Sequence, residues 1–581
     1  MMPRAPYHRV TTAHREPAGL RRLDLVVRAV AAWADGRDPS RVRVLVREGG
    51  QGSIAFPLAL LGYDVTLFEP NAAVIQKASV TAQDLALSVA FASSLTDLRS
   101  LPFDVVVSDR VLPGRDMSAL DDVRPHLADG GIALCTVRGL ALKEWSSHGW
   151  RCRNADRADA FFPRLWPIAA RLGMKRGSRT FHALDAFDGF CASHLPSPLG
   201  REWVAELEPR DVSRPFVMHA IPTFGAGGAE RLVYEIVSRL PAEGFDAKAV
   251  PIVAGGELEA LYREHGVPHT AIARRSRFGL GTFLALRRIF RLQRPDVVHT
   301  HLFIGDTMGR LAAAFARVPV IVSTEHNVNE SYGRLHHLVN RILAPTTKAH
   351  VAVSGEVKRI MAARDHVKSE NVRVILNGID LDLVIPRGAR PFRDIPRLII
   401  VGRMHPQKDH ATLFKALALV KRPWRLRVVG AGPLEKRLRQ LAERLQISSR
   451  IEWLGYRDDV PDLLAESDVF CFPSRYEGLG LAAVEAAAAG VPIIASDLPP
   501  LRELFGPDDV RFVAAGDVPA WSHAVAAVLD DPVDAVLAAA RVVPAIRAKA
   551  DITLMVRQYA TLYRELLPSG TKYEVRGTPP V

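Results

Sequence analysis

The stretch PSRYEGLGLAAVE, residues 473–485, sets two carboxylates, Glu477 and Glu485, eight positions apart around Gly478, Leu479 and Gly480. The apolar run DVFCF before it is of strand type, and the alanine-rich segment after Gly480 reads as a helix stopped by Gly490 and Val491-Pro492. Strand, glycine loop and buried helix form the repeating unit of a doubly wound α/β sheet. Glu477 then falls in the loop and Glu485 inside the helix. At 1.5 Å rise per residue the pair is about 12 Å apart. A hydrolytic carboxylate couple needs roughly 5–9.5 Å. The wider spacing suits an elongated ligand whose hydroxyl-bearing ends flank a diphosphate held at the helix N-terminus. The plainer alternative sets Glu477 against the helix dipole and Glu485 on a solvated face.

The same alternation runs outward along the chain. VRVLV, DVTLF, DVVVS and IALCTV lie in the first 150 residues; FVMHAI, DVVHTH, VIVSTEH, AHVAVS and VRVIL follow; RLIIVG, LRVVG, IEWLG, DVFCF and VPIIAS close the series. Strands alternating with helical segments predict an α/β fold of three Rossmann-like doubly wound units. Polar LEPRDVSRP (207–215) and Pro/Gly/Arg-rich IPRGARPFRDIP (385–396) separate them. The expected organisation is an extension over 1–39, a first domain over 40–205 and a linker over 206–213. Domains over 214–385 and 386–550, a terminal helix over 551–568 and a disordered tail over 569–581 complete it.

With 581 residues, 48% hydrophobic and 24% charged, the composition is that of globular protein. No apolar run reaches the ~18 residues of a membrane span, and the N-terminus lacks a secretory signal core, so a cytoplasmic protein is expected. The four cysteines form no CxxC pair. A net charge of +13 permits anionic partners, but no nucleic-acid module accompanies it, and phosphorylated ligands or lipid headgroups rank first.

Two further segments carry phosphate-type chemistry. FGAGGAER (224–231) follows a strand and opens a helix, so Gly227 and Gly228 let backbone approach a ligand. VGRMHPQKD (401–409) sets Arg403 and Lys408 at the carboxyl end of a strand, where open α/β sheets bind ligands. Asp380-Leu381-Asp382 spells DxD, but it follows NGI at a domain exit, and no metal is expected there. His299 and His301 are expected to point to opposite faces of their strand and so not to share a metal.

In order, GGAER, DVVHTH, STEHN, VAVS, NGID, VGRMHPQKDH, VVGAGP and EGLGLAAVE make residues 214–566 resemble a glycosyltransferase family 4 enzyme of the GT-B fold. The resemblance implies retaining, metal-independent transfer from a UDP- or GDP-linked sugar in the cleft between two domains. It implies that Glu485 holds the ribose, Glu477 faces the donor sugar, and the amides of Gly478, Leu479 and Gly480 lie beside sugar and diphosphate. Arg403 and Lys408 neutralise the diphosphate, Gly227 and Gly228 admit it, and His326 stands on the donor-sugar side. The implied acceptor is a glycan or lipid-linked molecule of cell-surface polysaccharide synthesis. A nucleotide-sugar epimerase of the same architecture is the alternative. SDLPPLRE departs from the family's glycine-bearing loop, with Glu503 matching its acidic position.

The helix LGTFLALRRIFRLQRP (280–295) and ARRSR (273–277) make a basic amphipathic stretch suited to an anionic membrane face, or to ordinary packing on the sheet. VRVLVREGGQGSIAFPLALLGYDVTLFEP (42–70) resembles the start of a class I S-adenosylmethionine methyltransferase domain. Gly50, Gly52 and Glu69 are its candidate cofactor residues. Val46 and Glu48 replace that family's loop acid and first glycine. The implied protein is a transferase with a methyltransferase-like domain, bifunctional or with that domain as scaffold.

Overall fold

The computed structural model describes residues 17–34, 36–47, 54–98, 102–111, 122, 124–138, 150–157, 202–225, 227–270, 279–328, 334–365, 367–388 and 390–568. The chain divides after Ser213 into two compact units, with the helical turn Arg288–Arg294 grouping with the first.

The first unit is built on a seven-stranded sheet of β1 (Arg43–Arg47), β2 (Asp64–Phe68), β3 (Val89–Ala92), β4 (Phe103–Val111), β5 (Leu127–Arg138), β6 (Trp150–Arg157) and β7 (Glu202–Pro209). Its order is β3-β2-β1-β4-β5-β7-β6, parallel except that β7 runs antiparallel to both its neighbours. The helix Pro17–Ala34 buries Leu23, Val26 and Val30 in the same core as Val44, Val46 and Leu134. It is therefore part of the domain and not an extension, because its apolar face has the sheet to cover. The segment 206–213, expected as a linker, begins inside β7. Leu207 is buried there and paired with Ala133, so strand pairing claims residues whose composition reads as a break.

The second unit carries two six-stranded parallel sheets. One contains β8 (Phe216–Ile221), β9 (Asp246–Pro251), β10 (Val297–His301), β11 (Val320–Glu325), β12 (Ala349–Ala352) and β13 (Val372–Val374), ordered β13-β12-β11-β10-β8-β9. The other contains β14 (Arg397–Val401), β15 (Arg425–Val429), β16 (Ile451–Gly455), β17 (Val469–Phe472), β18 (Ile493–Ser496) and β19 (Arg511–Val513), ordered β16-β15-β14-β17-β18-β19. Their central strands are buried throughout, as β8, β10, β12, β17 and β18 show, because helices cover both faces. Each sheet has a topological switch point, between β8 and β10 and between β14 and β17. Loops at the carboxyl ends of such strands open a ligand crevice.

The chain joins the two sheets twice. Ile379 donates its N–H to the Ala550 carbonyl at 2.8 Å and accepts from Ile552 N at 2.9 Å, which ties the outward crossing to the return. A side chain on Gly378 would come within 2.5 Å of the Ile552 Cα, so only glycine lets the crossings meet. The helix Ile552–Leu566 then returns to the first of these sheets, where Ile552, Met555, Val556, Tyr559 and Tyr563 join the core of Val217, Val297 and Val322. In the helix Leu280–Gln293, Leu286 and Phe290 are buried and Arg288 and Arg291 are exposed, so protein covers part of the apolar side of that basic stretch. ARRSR (273–277) lies outside the described residues.

Candidate functional site

Both loops at the β14/β17 switch point come from sequence features. After β14, Gly402 and Arg403 lead into a short 3-10 turn at Pro406–Lys408, and the Asp409 side chain caps the helix His410–Leu419 by accepting from Thr412 N. After β17, residues 473–480 lead to the helix Leu481–Ala488, entered through Gly480 at φ +95°, where a Cβ would lie 3.0 Å from Leu501. The loops are zipped together: Arg475 N donates to Gln407 O at 2.8 Å, Gln407 Nε2 to Tyr476 O at 3.0 Å, and Arg475 Nε to Asp409 at 2.9 Å.

Within that frame Lys408 Nζ meets Glu477 Oε1 at 2.6 Å, and the ammonium also lies 4.9 Å from the centre of the Phe472 ring. Glu477 is buried at 6% exposure, where a carboxylate needs such a partner. Glu485, one helix turn inside, is half-buried, and burial pushes its carboxyl up to about 7, with Arg231 and Lys408 pulling the other way. Leu479 is buried. Ser474 and Ser496, at the carboxyl ends of β17 and β18, bury hydroxyls that have no partner. Unpaired polar atoms beside a glycine loop are what a polar ligand would satisfy.

The β8/β10 switch point faces these loops. A Cβ on Gly478 would fall 2.0 Å from the His326 carbonyl oxygen, and one on Gly228 would lie 3.5 Å from Leu481. Gly227 caps the helix Gly228–Arg239, whose first turn carries Glu230; burial raises the Glu230 carboxyl while Arg403 opposes the shift. Arg403 is exposed. The structure thus gathers Gly227, Gly228, His326, Arg403, Lys408, Glu477, Gly478, Leu479, Gly480 and Glu485 around facing strand ends of one unit.

Sequence reasoning missed the groups behind His326. His299 and His301 share one face, contrary to expectation, because a strand's period of two puts residues i and i+2 on the same side; their rings are 4.1 Å apart. His219 of β8 completes the cluster. One ring nitrogen from each of His219, His299 and His301 lies within 4.8 Å of the others, the kind of group that holds a metal. Most nitrogens are already paired. His219 Nδ1 contacts His301 Nε2 at 3.0 Å and His301 Nδ1 contacts His326 Nε2 at 3.0 Å. His299 uses Nδ1 with Tyr563 Oη and Nε2 with Thr324 Oγ1, both at 2.6 Å. Burial keeps the rings neutral, pushing His219 down to about 3 and His326 to about 4. His299 and His301 were visible in DVVHTH, whereas His219 in the apolar strand FVMHAI carries no local signal.

Other expected residues have different partners. Glu503 accepts from Gly355 N at 2.7 Å and Glu356 N at 2.8 Å, one bond to each oxygen, capping the helix Gly355–Arg364 across the two sheets' domains. Asp380 bonds Arg239 at 2.5 Å and accepts from Asp382 N at 3.1 Å. Glu69, after β2, accepts from Asn71 N at 3.2 Å. Gly50 and Gly52 lie outside the described residues.

Residues 226–383 match the Glycosyltransferase Family 4 family model, and residues 388–545 match Glycosyl transferases group 1. Together the two glycosyltransferase models match nearly all of residues 226–545. The chain is 35% identical over 220 residues to the glycosyltransferase EpsF of Bacillus subtilis, covering 35% of this chain and 57% of that one. It is 26% identical over 333 residues to the Escherichia coli UDP-Gal:alpha-D-GlcNAc-diphosphoundecaprenol alpha-1,3-galactosyltransferase, covering 53% of this chain and 86% of that one. Among solved structures, Anabaena HepE in complex with UDP and glucose superposes with a TM-score of 0.55 at 20% identity. That match covers 61% of this chain and all of that one. A glycosyltransferase from Rickettsia africae gives 0.54 at 20%, with the same coverage. These likenesses establish a GT-B fold for the second unit. Among the described residues no helix is long and apolar enough to cross a membrane.

Proposed function

We propose that this protein transfers a sugar, with retention of configuration, from a UDP- or GDP-linked donor to a glycan or lipid-linked acceptor. The observation that carries this reading is the buried Lys408–Glu477 pair at the β14/β17 switch point, between a glycine-opened helix N-terminus and Glu485. The Escherichia coli relative, named for a UDP-galactose donor and a diphosphoundecaprenol-linked acceptor, and the UDP-bound Anabaena structure agree with the ligand class.

In this reading Glu485 accepts hydrogen bonds from the ribose hydroxyls, the 478–480 amides line the diphosphate, and Glu477 faces the sugar. Lys408 and Arg403 stabilise charge on the departing diphosphate. The acceptor hydroxyl attacks the face that the diphosphate leaves, a diphosphate oxygen takes its proton, and the chain contributes orientation and electrostatics. The exposed Arg288 and Arg291 provide an electrostatic contact for an anionic membrane carrying the acceptor.

The test is stabilisation of the parent and of Glu485→Ala by UDP, GDP and their sugars. At ligand 100 times its Kd, binding adds about 2.7 kcal/mol. A response to one nucleotide series in the parent, lost in the variant, supports the site; a flat response at saturation overturns it.

A second reading concerns the first unit, and its strand order supports it. The order β3-β2-β1-β4-β5 is that of a Rossmann-type sheet, with Glu69 at the carboxyl end of β2, where an acid meets a cofactor ribose. S-adenosylmethionine is the ligand proposed there. Isothermal titration with S-adenosylhomocysteine checks it, and absence of heat at millimolar ligand would leave the unit as scaffold.

A further inference from the structure

We infer that His219 and His301 are positioning residues that set the tautomer of His326, forming with it a buried relay of imidazoles that ends at the donor-sugar side of the site. The inference rests on the proposed donor contact of His326, and its geometry is independent of that proposal.

The argument is a count of ring nitrogens. In His219, His301 and His326 four of the six nitrogens meet in two contacts, both at 3.0 Å. The remaining two, His219 Nε2 and His326 Nδ1, are buried and have no partner. A neutral imidazole carries one N–H, so each contact needs one proton between its two nitrogens. Only two arrangements satisfy both contacts. Either all three rings carry the proton on Nδ1, and the unused N–H is at His326, or all three carry it on Nε2, and the unused N–H is at His219. Any mixed set leaves one contact with two protons or with none.

The two arrangements differ at the site. A buried N–H without an acceptor is costlier than an empty lone pair. His301 already occupies His326 Nε2, so Nδ1 is the one nitrogen of that ring left to meet a sugar hydroxyl. An arriving hydroxyl that accepts there selects the all-Nδ1–H state, and shifting His326 moves the protons on His301 and His219 with it. His299 stands outside the relay, because the hydroxyls of Tyr563 and Thr324 that hold it can each donate or accept. A metal shared by His219, His299 and His301 would have to displace a partner from His299 and from His301, whose ring nitrogens are all engaged, which favours the relay over that reading of the cluster.

The experiment is long-range ¹H–¹⁵N correlation on the full-length protein labelled at its imidazole nitrogens. Signals are assigned by their loss in His219→Gln, His301→Gln and His326→Gln. The expected result is one shared tautomer for all three rings, moving together to Nδ1–H on saturation with UDP-glucose or GDP-mannose, whichever stabilises the protein. In turnover, His219→Phe should lower kcat/KM for the donor about tenfold without changing KM for the acceptor, and His219→Gln should recover most of it. Mixed tautomers in the parent, or a stoichiometric metal found by mass spectrometry, would overturn the relay even if donor sugars bind. A shared Nε2–H tautomer that persists on saturation with either sugar would instead overturn the donor contact and, with it, the positioning role.

Discussion

Glu485 is the residue whose environment and proposed task pull in opposite directions. Burial lifts its carboxyl from the ordinary 4.5 to about 7. Between those values the folded chain keeps a proton that the unfolded chain has released. Stability therefore falls as pH rises from about 4.5 to about 7, and the full penalty, on the order of 1–3 kcal/mol, is present above that. Glu485→Gln mimics the protonated form. In ligand-free protein it should raise Tm by a few degrees, about 2–6 °C, at pH 8 and hardly change it at pH 5, while abolishing stabilisation by nucleotide. Thermal scans at both pH values decide; an equal shift at each would show that the carboxyl is not held proton-bound. Lys408 gives the complementary case. Lys408→Met strands the Glu477 charge and should cost about 3 kcal/mol. Adding Glu477→Gln should restore most of the stability but none of the transfer. Additive losses in the double variant, by urea unfolding, would argue that the pair is not coupled.

At the scale of elements, the two loops after β14 and β17 act as one part, and Gly478 sets how closely that part approaches β11. Its missing Cβ would collide with the His326 carbonyl at 2.0 Å. Gly478→Ala should leave the helices and sheets of both domains intact, with unchanged far-UV circular dichroism. It should lower transfer by about 100-fold, the cost of an ångström-scale misplacement. A variant with near-parental turnover would mean that the contact is not kept during catalysis. These elements were legible in the sequence because their signals are local. Apolar runs, the glycines at 478 and 480, the Pro492 stop and the cation pair in VGRMHPQKD each fall within one loop-length of chain, and family models match the same residues. What was not legible depends on distance along the chain. Glu503 and Gly355 are 148 residues apart and His219 and His301 82 apart, so neither contact leaves a local pattern. Helix Pro17–Ala34 reads as an extension for a related reason: two of the strands it packs on, β5 and β7, follow much later in sequence.

At the scale of the whole second unit, the interior is unusually rich in neutral histidine. Burial holds His219, His299, His301, His326, His350 and His410 below the ordinary 6.5. Three glutamates are shifted the other way, Glu325 to about 8, Glu485 to about 7, and Glu230 upward by burial. The histidines remain unprotonated in the fold but charge on unfolding, so their contribution is complete above pH 6.5 and is lost as pH falls toward 4. The three glutamates oppose this above pH 4.5, since the folded form binds their protons. Six groups against three leave a net uptake of about three to four protons on unfolding near pH 5.5, a slope on the order of 4–5 kcal/mol per pH unit. The second unit should therefore be most stable near neutrality and unfold sharply below pH 6, long before its carboxylates as a class are protonated. Urea midpoints measured between pH 5 and 8, with far-UV circular dichroism as the probe, test this. His350→Gln lies outside the relay and should flatten the acid limb by about one proton, provided that it folds. A midpoint independent of pH from 5 to 6.5 would mean that these imidazoles are not held neutral in the fold. The shared neutral state on which the relay depends would then be lost as well, because a doubly protonated ring donates from both nitrogens and leaves its neighbour no proton to pass.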